Sequence, residues 1–486
     1  MTSTPVRPAD APAAERRALS GRLGVGAIVF MVVAAAAPLT VIGGGTPIGF
    51  LAGNGVGYPA LYVVSAVVLL LFSVGLAAMS RYVPKAGAFF TYIGYGLSRA
   101  WGLGAAFVAL VTYTAVQAAV YGYLGAQLGL AVGSLGGPEL PWWLWSALSI
   151  AAVGVLGYRH IELSSKVLGV LLVAEVGIVL AINAAVIVTG GAEGLSLAPF
   201  EPRNVMSGSV GVGLMFAIAG FIGFESTAVF RDEARDPART IPRATYAAVI
   251  GIGAFYTFSA WALVMAWGPS QVVGAAAADP EGMIIATASR YLGGDAAGAV
   301  VQTLLLTSLF ACVLCFHNVI ARYQHALGQA GVLPGRLGAT HARHESPHTS
   351  SLVQTATAAV LLVVFAVVGL DPVAEVFTWM SGAATLGVLV LMALTCLAVL
   401  VFFRRTRIDT RPWQSVIAPA LGLLGLAGLL GVVVANFPML VGGSTAIALA
   451  LEGVFAAALV TGFVVARVLR SRRPADYAGL TDALSA

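Results

Sequence analysis

The chain has 486 residues, 59% of them hydrophobic and only 10% charged, with a mean hydropathy of +0.92. A soluble domain carries roughly 25% charged residues, so the composition excludes a soluble enzyme or nucleic-acid-binding domain and predicts one integral membrane bundle. The net charge of +5 and the pI near 9.2 require no nucleic acid, because the cytoplasmic loops of an inner-membrane protein collect basic residues.

Residues 1–20 hold Pro5, Pro8 and Pro12 among alanines and mixed charge. They lack the basic start, apolar core and small-residue cleavage site of a signal peptide, and a disordered cytoplasmic tail is expected. Runs of about 20 apolar residues then recur to the end of the chain. Read against the loop signals between them, they give an all-α bundle of about twelve spans. The expected limits are Leu23–Leu51, Tyr58–Met79, Ala105–Val132, Trp142–Tyr158, Val167–Val188 and Val210–Phe230 in the first half. They continue as Tyr246–Trp267, Ala297–Tyr323, Leu352–Gly369, Val373–Phe403, Val416–Ala435 and Ala446–Val468. Residues 471–486 form a second cytoplasmic tail.

Orientation follows from the basic residues. Of the 26 Lys and Arg residues, only Arg203 and Arg290 fall in one set of alternating connections. The other set includes Arg81, Lys85 and Arg99, the run Arg231 to Arg243, and Arg404 to Arg411, together with the arginines of both tails. By the positive-inside rule both termini lie in the cytoplasm, in the inner or plasma membrane.

Two spans are interrupted near their middles. The first contains "APLTVIGGGTPIGF", in which Pro38 removes a donor and Gly43, Gly44 and Gly45 remove side-chain support. The sixth contains "IAGFIGFES". Unwound backbone survives in a bilayer only where protein buries it or a cavity hydrates it. Matched interruptions five spans apart are the signature of two inverted five-helix repeats with a binding site at the paired breaks. The repeats are expected at residues 21–189 and 205–404, followed by two further helices over 412–470. Half-helix N-termini suit a carboxylate and half-helix C-termini suit an ammonium, and an α-amino acid carries both.

The stretch "FIGFESTAVFRDEARDPARTIPRA" carries a broken sixth helix, a Glu, an Asp-Pro and an Ile-Pro-Arg entering the seventh. With "VPKAGAFFTYIGYGLSRAWG", "IELSSKVLGVLLVAEVGIVL" and "NVIARYQHALGQAGVLPGRL", in that chain order, the sequence resembles the amino acid–polyamine–organocation permeases of LeuT-type fold. The likeness covers roughly Gly21 to Arg405. It implies alternating-access transport of an amino acid or related amine, with no cofactor and no metal.

Carried over to this chain, the resemblance implies that Pro38, Leu39, Thr40, Val41, Ile42, Gly43 and Gly44 hold the substrate carboxylate. Ala219, Gly220 and Phe221, beside Gly223, offer carbonyls to its amine, while Tyr113, Gln117 and Phe316 complete the pocket. Ala219 stands where the arginine/agmatine antiporter of that family has a tryptophan, so a roomier pocket is implied. Glu175 stands where some proton-coupled relatives place a lysine.

Acids inside a membrane usually face the bundle interior and mark ion or proton paths. Glu225 and Glu175 are therefore the candidates for proton coupling or gating, and Glu452, outside the core, for a structural or oligomer-surface role. His341, His344 and His348 have metal-like spacing but fall in a basic loop, and Cys312 and Cys315 read as packing residues. The favoured function is a secondary transporter of amino acids or amines, with proton-coupled uptake. An exchanger or a polyamine permease is the alternative. A channel would want a charged pore, and a membrane enzyme more than His317 beside Asn318. The substrate and the oligomeric state stay open.

Overall fold

Hydrocarbon offers no partner to a peptide group, so this apolar chain can cross it only as helices. The computed structural model describes residues 23–83, 89–159, 165–225, 227, 234–341, 346–409 and 411–483. These are helical throughout, apart from turns and an isolated bridge between Leu23 and Ala234.

The first expected span is three pieces: α1 (Val25–Ala35), α2 (Pro38–Thr40) and α3 (Thr46–Ala52), with a wide π-helical turn over Val41–Gly45 between the last two. Then follow α4 (Tyr58–Met79), α5 (Phe89–Gly96), α6 (Arg99–Ser134), α7 (Trp142–Tyr158) and α8 (Ser165–Thr189). A short α9 (Pro202–Val205) precedes α10 (Val210–Ala219) and α11 (Pro237–Trp267). Two helices not expected between the seventh and eighth spans, α12 (Val272–Ala278) and α13 (Met283–Leu292), precede α14 (Asp295–Gln329) and α15 (His348–Val368). The chain ends with α16 (Thr378–Thr406), α17 (Ala418–Leu440), α18 (Thr445–Arg472) and α19 (Pro474–Ala483), and α5, α9 and α19 are likewise not expected from the sequence.

Among the described residues nine helices are long and apolar enough to span a membrane, and the bent first span makes a tenth. The remaining two expected spans correspond to α7 and α10, which are apolar but shorter. At 17 and 10 residues they fall below the roughly 20 that a straight crossing needs, so the count of twelve rests on these two. The sixth span is short because it breaks, and residues 226 and 228–233 beyond the break lie outside the described residues.

The first break differs from expectation in position. Pro38–Gly44 is helical, and the interruption falls at Ala36 and Ala37, where Ala37 takes the left-handed conformation at φ 45°. Across it the helix bends by 42°. The reason is local: proline lacks an N–H that the first helical position would leave unused and fixes a helical φ, so Pro38 starts a helix. The three glycines permit a break without forcing one, and the π-helical turn keeps them buried in a regular path. In the sixth span α10 stops at Ala219, and Gly223 reverses the chain at φ 109°.

The long helix α6 is the axis of the bundle, packed on α5, α7, α14, α16 and α18. Its contact with α18 depends on glycine: a Cβ on Gly104 would lie 2.9 Å from Leu459 Cδ1, and one on Gly462 would collide with the backbone of Gly104. Small residues are what allow membrane helices to approach this closely. The connection after α16 is pinned where Arg411 donates from Nε and Nη2 to Asp409 at 2.9 and 2.6 Å. Arg411 holds the Asp409 carboxyl below the usual carboxylate range.

Replacing Gly104 by Val overpacks the α6–α18 contact and should cost roughly 1–3 kcal/mol. Thermal unfolding of the purified variant in detergent should show a lower midpoint, and an unchanged midpoint would contradict this packing.

Candidate functional site

The two breaks face each other across a narrow cavity of about 70 Å³, well below the roughly 300–1,000 Å³ of an open small-molecule site. Ala36, Ala37, Thr40, Val41 and Gly45 line it from the first span, and Phe216, Ala219, Gly220 and Ile222 from the sixth. Val116, Ala119 and Val120 of α6 form a third wall, Cys312 and Phe316 of α14 a fourth, and Phe377, Ser381 and Ala384 a fifth. No Asp, Glu, Lys, Arg or His is among these residues.

One end of the cavity is flanked by rings. Phe216 and Phe377 have centroids 6.4 Å apart, and Tyr123 lies 5.1 Å from Phe377. Tyr123 in turn lies flat on the glycine run: a Cβ on Gly44 would meet Tyr123 Cε1 at 2.7 Å and Phe377 Cζ at 3.2 Å. At the other end, Tyr113 packs under Phe316 at 5.8 Å and against Tyr323 at 5.7 Å.

The polar groups of each break are satisfied by side chains. At the first, Tyr256 of α11 donates its hydroxyl to the Ala36 carbonyl at 3.3 Å. The Ser308 hydroxyl of α14 donates to the carboxylate of Glu175 on α8 at 2.8 Å, and the Leu39 backbone lies close to the same carboxylate. Thr40 extends this chain, donating to Ser308 at 3.3 Å. At the second break the Gly223 amide donates to Glu225 Oε2 at 2.9 Å, and the Tyr113 hydroxyl to Oε1 at 3.0 Å. Each interruption therefore lies beside a buried carboxylate. Among the described residues neither acid forms a salt bridge.

Of the residues expected to bind substrate, Thr40, Val41, Ala219, Gly220 and Phe316 line the cavity. The others sit behind it. Leu39 and Ile42 are fully buried beside Pro38, and Gly43 and Gly44 face Tyr123 rather than open space. The Phe221 ring turns away onto Tyr256, 6.1 Å distant. The Ala219 and Phe221 carbonyls accept turn bonds from Ile222 and Phe224, and Gly223 serves the turn itself. Gln117 was expected in the pocket, but its amide is committed to packing: Nε2 donates to the Val313 carbonyl and Oε1 accepts from Gln354 at 2.7 Å. Tyr113 reaches Glu225 and stays below the cavity.

Ser308, Tyr256, Ser381, Phe216, Phe377 and Tyr123 were not anticipated, since nothing local distinguishes them from ordinary membrane-helix residues. Cys312, read as packing, lines the cavity, whereas Cys315 is exposed. Glu452 is partly buried on α18, away from the site. His341 and His348 pack edge-on at 5.2 Å beside Tyr158, and His344 lies outside the described residues. Of the run Arg231 to Arg243, residues 231–233 also lie outside them, and Arg239 pairs with Asp236 at an exposed 3.8 Å. A pair so exposed is worth little.

Tyr113→Phe removes one of two donors to a buried carboxylate, at a cost of about 1–3 kcal/mol. The melting temperature in detergent should fall; a variant as stable as the parent would show that the bond carries no weight.

The sequence is similar to known transporters. A family described as amino acid permease matches residues 23–464. An uncharacterized transporter of Mycobacterium tuberculosis is 27% identical over 364 residues, covering 74% of this chain and 76% of its own. The branched-chain amino acid permease BcaP of Lactococcus lactis is 25% identical over 300 residues, 58% of this chain and 63% of that one. The serine/threonine exchanger SteT of Bacillus subtilis is 23% identical over 401 residues, 80% and 86% of the two chains.

Proposed function

The chain belongs to the amino acid permease family, and on that premise we propose that it imports a neutral amino acid together with a proton, by alternating access. The observation that carries this reading is the cavity between the two broken spans, which lacks an ionisable carboxylate or base in its lining. A dication such as a polyamine, or a cationic amino acid, would bring a second charge that nothing on the wall neutralises, and an unpaired buried charge is costly. A zwitterion needs only the helix ends. The apolar walls, with Thr40, Cys312 and Ser381 as polar exceptions, fit a small or medium aliphatic or hydroxylated side chain. The branched-chain amino acid permease BcaP and the serine/threonine exchanger SteT are named for those two kinds of substrate.

Glu175 and Glu225 support the proton part. Each is buried beside a break, with Glu225 hydrogen-bonded to the Gly223 amide and Glu175 to Ser308, so a change in its charge alters the backbone next to the substrate. Buried acids in such positions mark proton paths. Glu175 is the carrier in this reading. Glu225 joins the sixth span to α6 through Tyr113 and acts as the gate on the side below the cavity. The arginine-rich end, with both tails, faces the cytoplasm of a plasma-membrane protein, and the Tyr123, Phe377 and Phe216 rings close the outer side.

Purified protein reconstituted in liposomes should accumulate L-leucine or L-threonine when the outside is acidic, without need of sodium, and Glu175→Gln should abolish that accumulation. Uptake that requires a sodium gradient and ignores the pH gradient would overturn the proton part. Ala219→Trp should reduce leucine uptake on the order of tenfold or more while sparing alanine. An unchanged preference would remove Ala219 from the side-chain pocket.

A further inference from the structure

Resting on the proton-coupled reading above, we propose that Ser308 is a positioning residue that reverses the hydrogen-bond polarity of the cavity wall whenever Glu175 gains or loses a proton. The geometry is a three-member chain. Thr40 lines the cavity and donates to Ser308 Oγ at 3.3 Å, and Ser308 donates to Glu175 Oε2 at 2.8 Å. All three side chains are buried. A hydroxyl has one proton to give and two lone pairs to receive, whereas an ionised carboxylate only receives. With Glu175 ionised the chain can therefore run in one direction, from the cavity toward the acid.

In that state the Thr40 proton is directed at Ser308, and Thr40 Oγ1 presents only lone pairs to the cavity. A substrate ammonium is accepted there and a substrate carboxylate is repelled. Transfer of a proton from hydronium to Oε2 forms one O–H bond there and breaks one in the hydronium, which leaves as water. The new O–H donates to Ser308 Oγ. The Ser308 hydroxyl then rotates to donate to Thr40 Oγ1, and the Thr40 hydroxyl is released to point into the cavity as a donor. Each hydroxyl proton stays on its own oxygen, and every oxygen in the chain keeps a partner in both states, so neither arrangement leaves an unmade buried bond. The proton-loaded wall donates to a carboxylate. The proton-free wall does not.

The surroundings leave Glu175 as the group that turns the switch. Tyr256 of α11 and Cys312 of α14 are the titratable side chains within its field. Tyr256 is occupied in holding the Ala36 carbonyl. The Leu39 backbone, also close to Glu175, belongs to the same break as Thr40. Proton arrival and substrate-carboxylate binding thus act on one short helix, and departure of either weakens the hold on the other.

The test uses the purified full chain in detergent, with L-leucine and L-threonine as probes. For the parent protein, affinity should tighten as pH falls by up to about tenfold per pH unit, the limit for one linked proton. Ser308→Ala should flatten that dependence, and Ser308→Thr, which restores a hydroxyl, should recover it. Glu175→Gln places a permanent N–H donor at the end of the chain, so its affinity should be high and independent of pH. A second arm needs no substrate: the infrared carbonyl band of protonated Glu175, identified by its loss in Glu175→Gln, should shift in Ser308→Ala and return in Ser308→Thr. A pH dependence that survives Ser308→Ala, a band that does not move, or the lack of any band lost in Glu175→Gln would overturn the relay. A shifting band in a protein that binds neither probe would support the relay and overturn the neutral amino acid reading instead.

Discussion

An amide exposed to hydrocarbon must find an acceptor inside the protein, and the two broken spans are arranged around that requirement. At each interruption a carboxylate lies beside the backbone: Glu175 near Leu39, and Glu225 accepting from the Gly223 amide. The acids come from different places, one from α8 across the bundle and the other from two residues past the break. The result is the same at both. A carboxylate sits at each, and it is tied to a helix of the surrounding frame through Ser308 of α14 or Tyr113 of α6.

That arrangement gives the cavity its character. Its walls can be apolar, because the polar work of keeping two helices broken is done just behind them. The carboxylates, Tyr256 and Ser308 do not line the space. Aromatic rings flank it, with Tyr123, Phe377 and Phe216 packed together on one side and Phe316, Tyr113 and Tyr323 on the other. Around the broken helices, α6 packs closely with α14, α16 and α18. A transporter that alternates its access needs a division between moving and fixed parts.

Much of the fold was legible because its causes are local. Apolar run length located most of the spans. The glycine and proline clusters marked the first and sixth spans as the unusual ones. Where the reading failed, the deciding interaction was remote in sequence. Pro38 looked like a breaker, yet it begins a helix, and the break sits at Ala36–Ala37, stabilised by Tyr256, 220 residues away. Gln117 looked like a pocket residue beside Tyr113, but Gln354, 237 residues on, claims its amide. Phe221 and Ala219 differ in orientation although they are two apart in one turn. Cys312 and Ser381 reach the cavity only through the way α14 and α16 are rotated, which single-helix periodicity does not reveal.

The central claim is that substrate binding and proton uptake are one event at the first break. Calorimetry of L-leucine binding in buffers of different ionisation enthalpy measures it most directly, because it counts the protons taken up with each ligand. The account predicts net proton uptake on binding by the parent protein and none by Glu175→Gln. Leucine binding with no proton uptake, or uptake undiminished in Glu175→Gln, would contradict it.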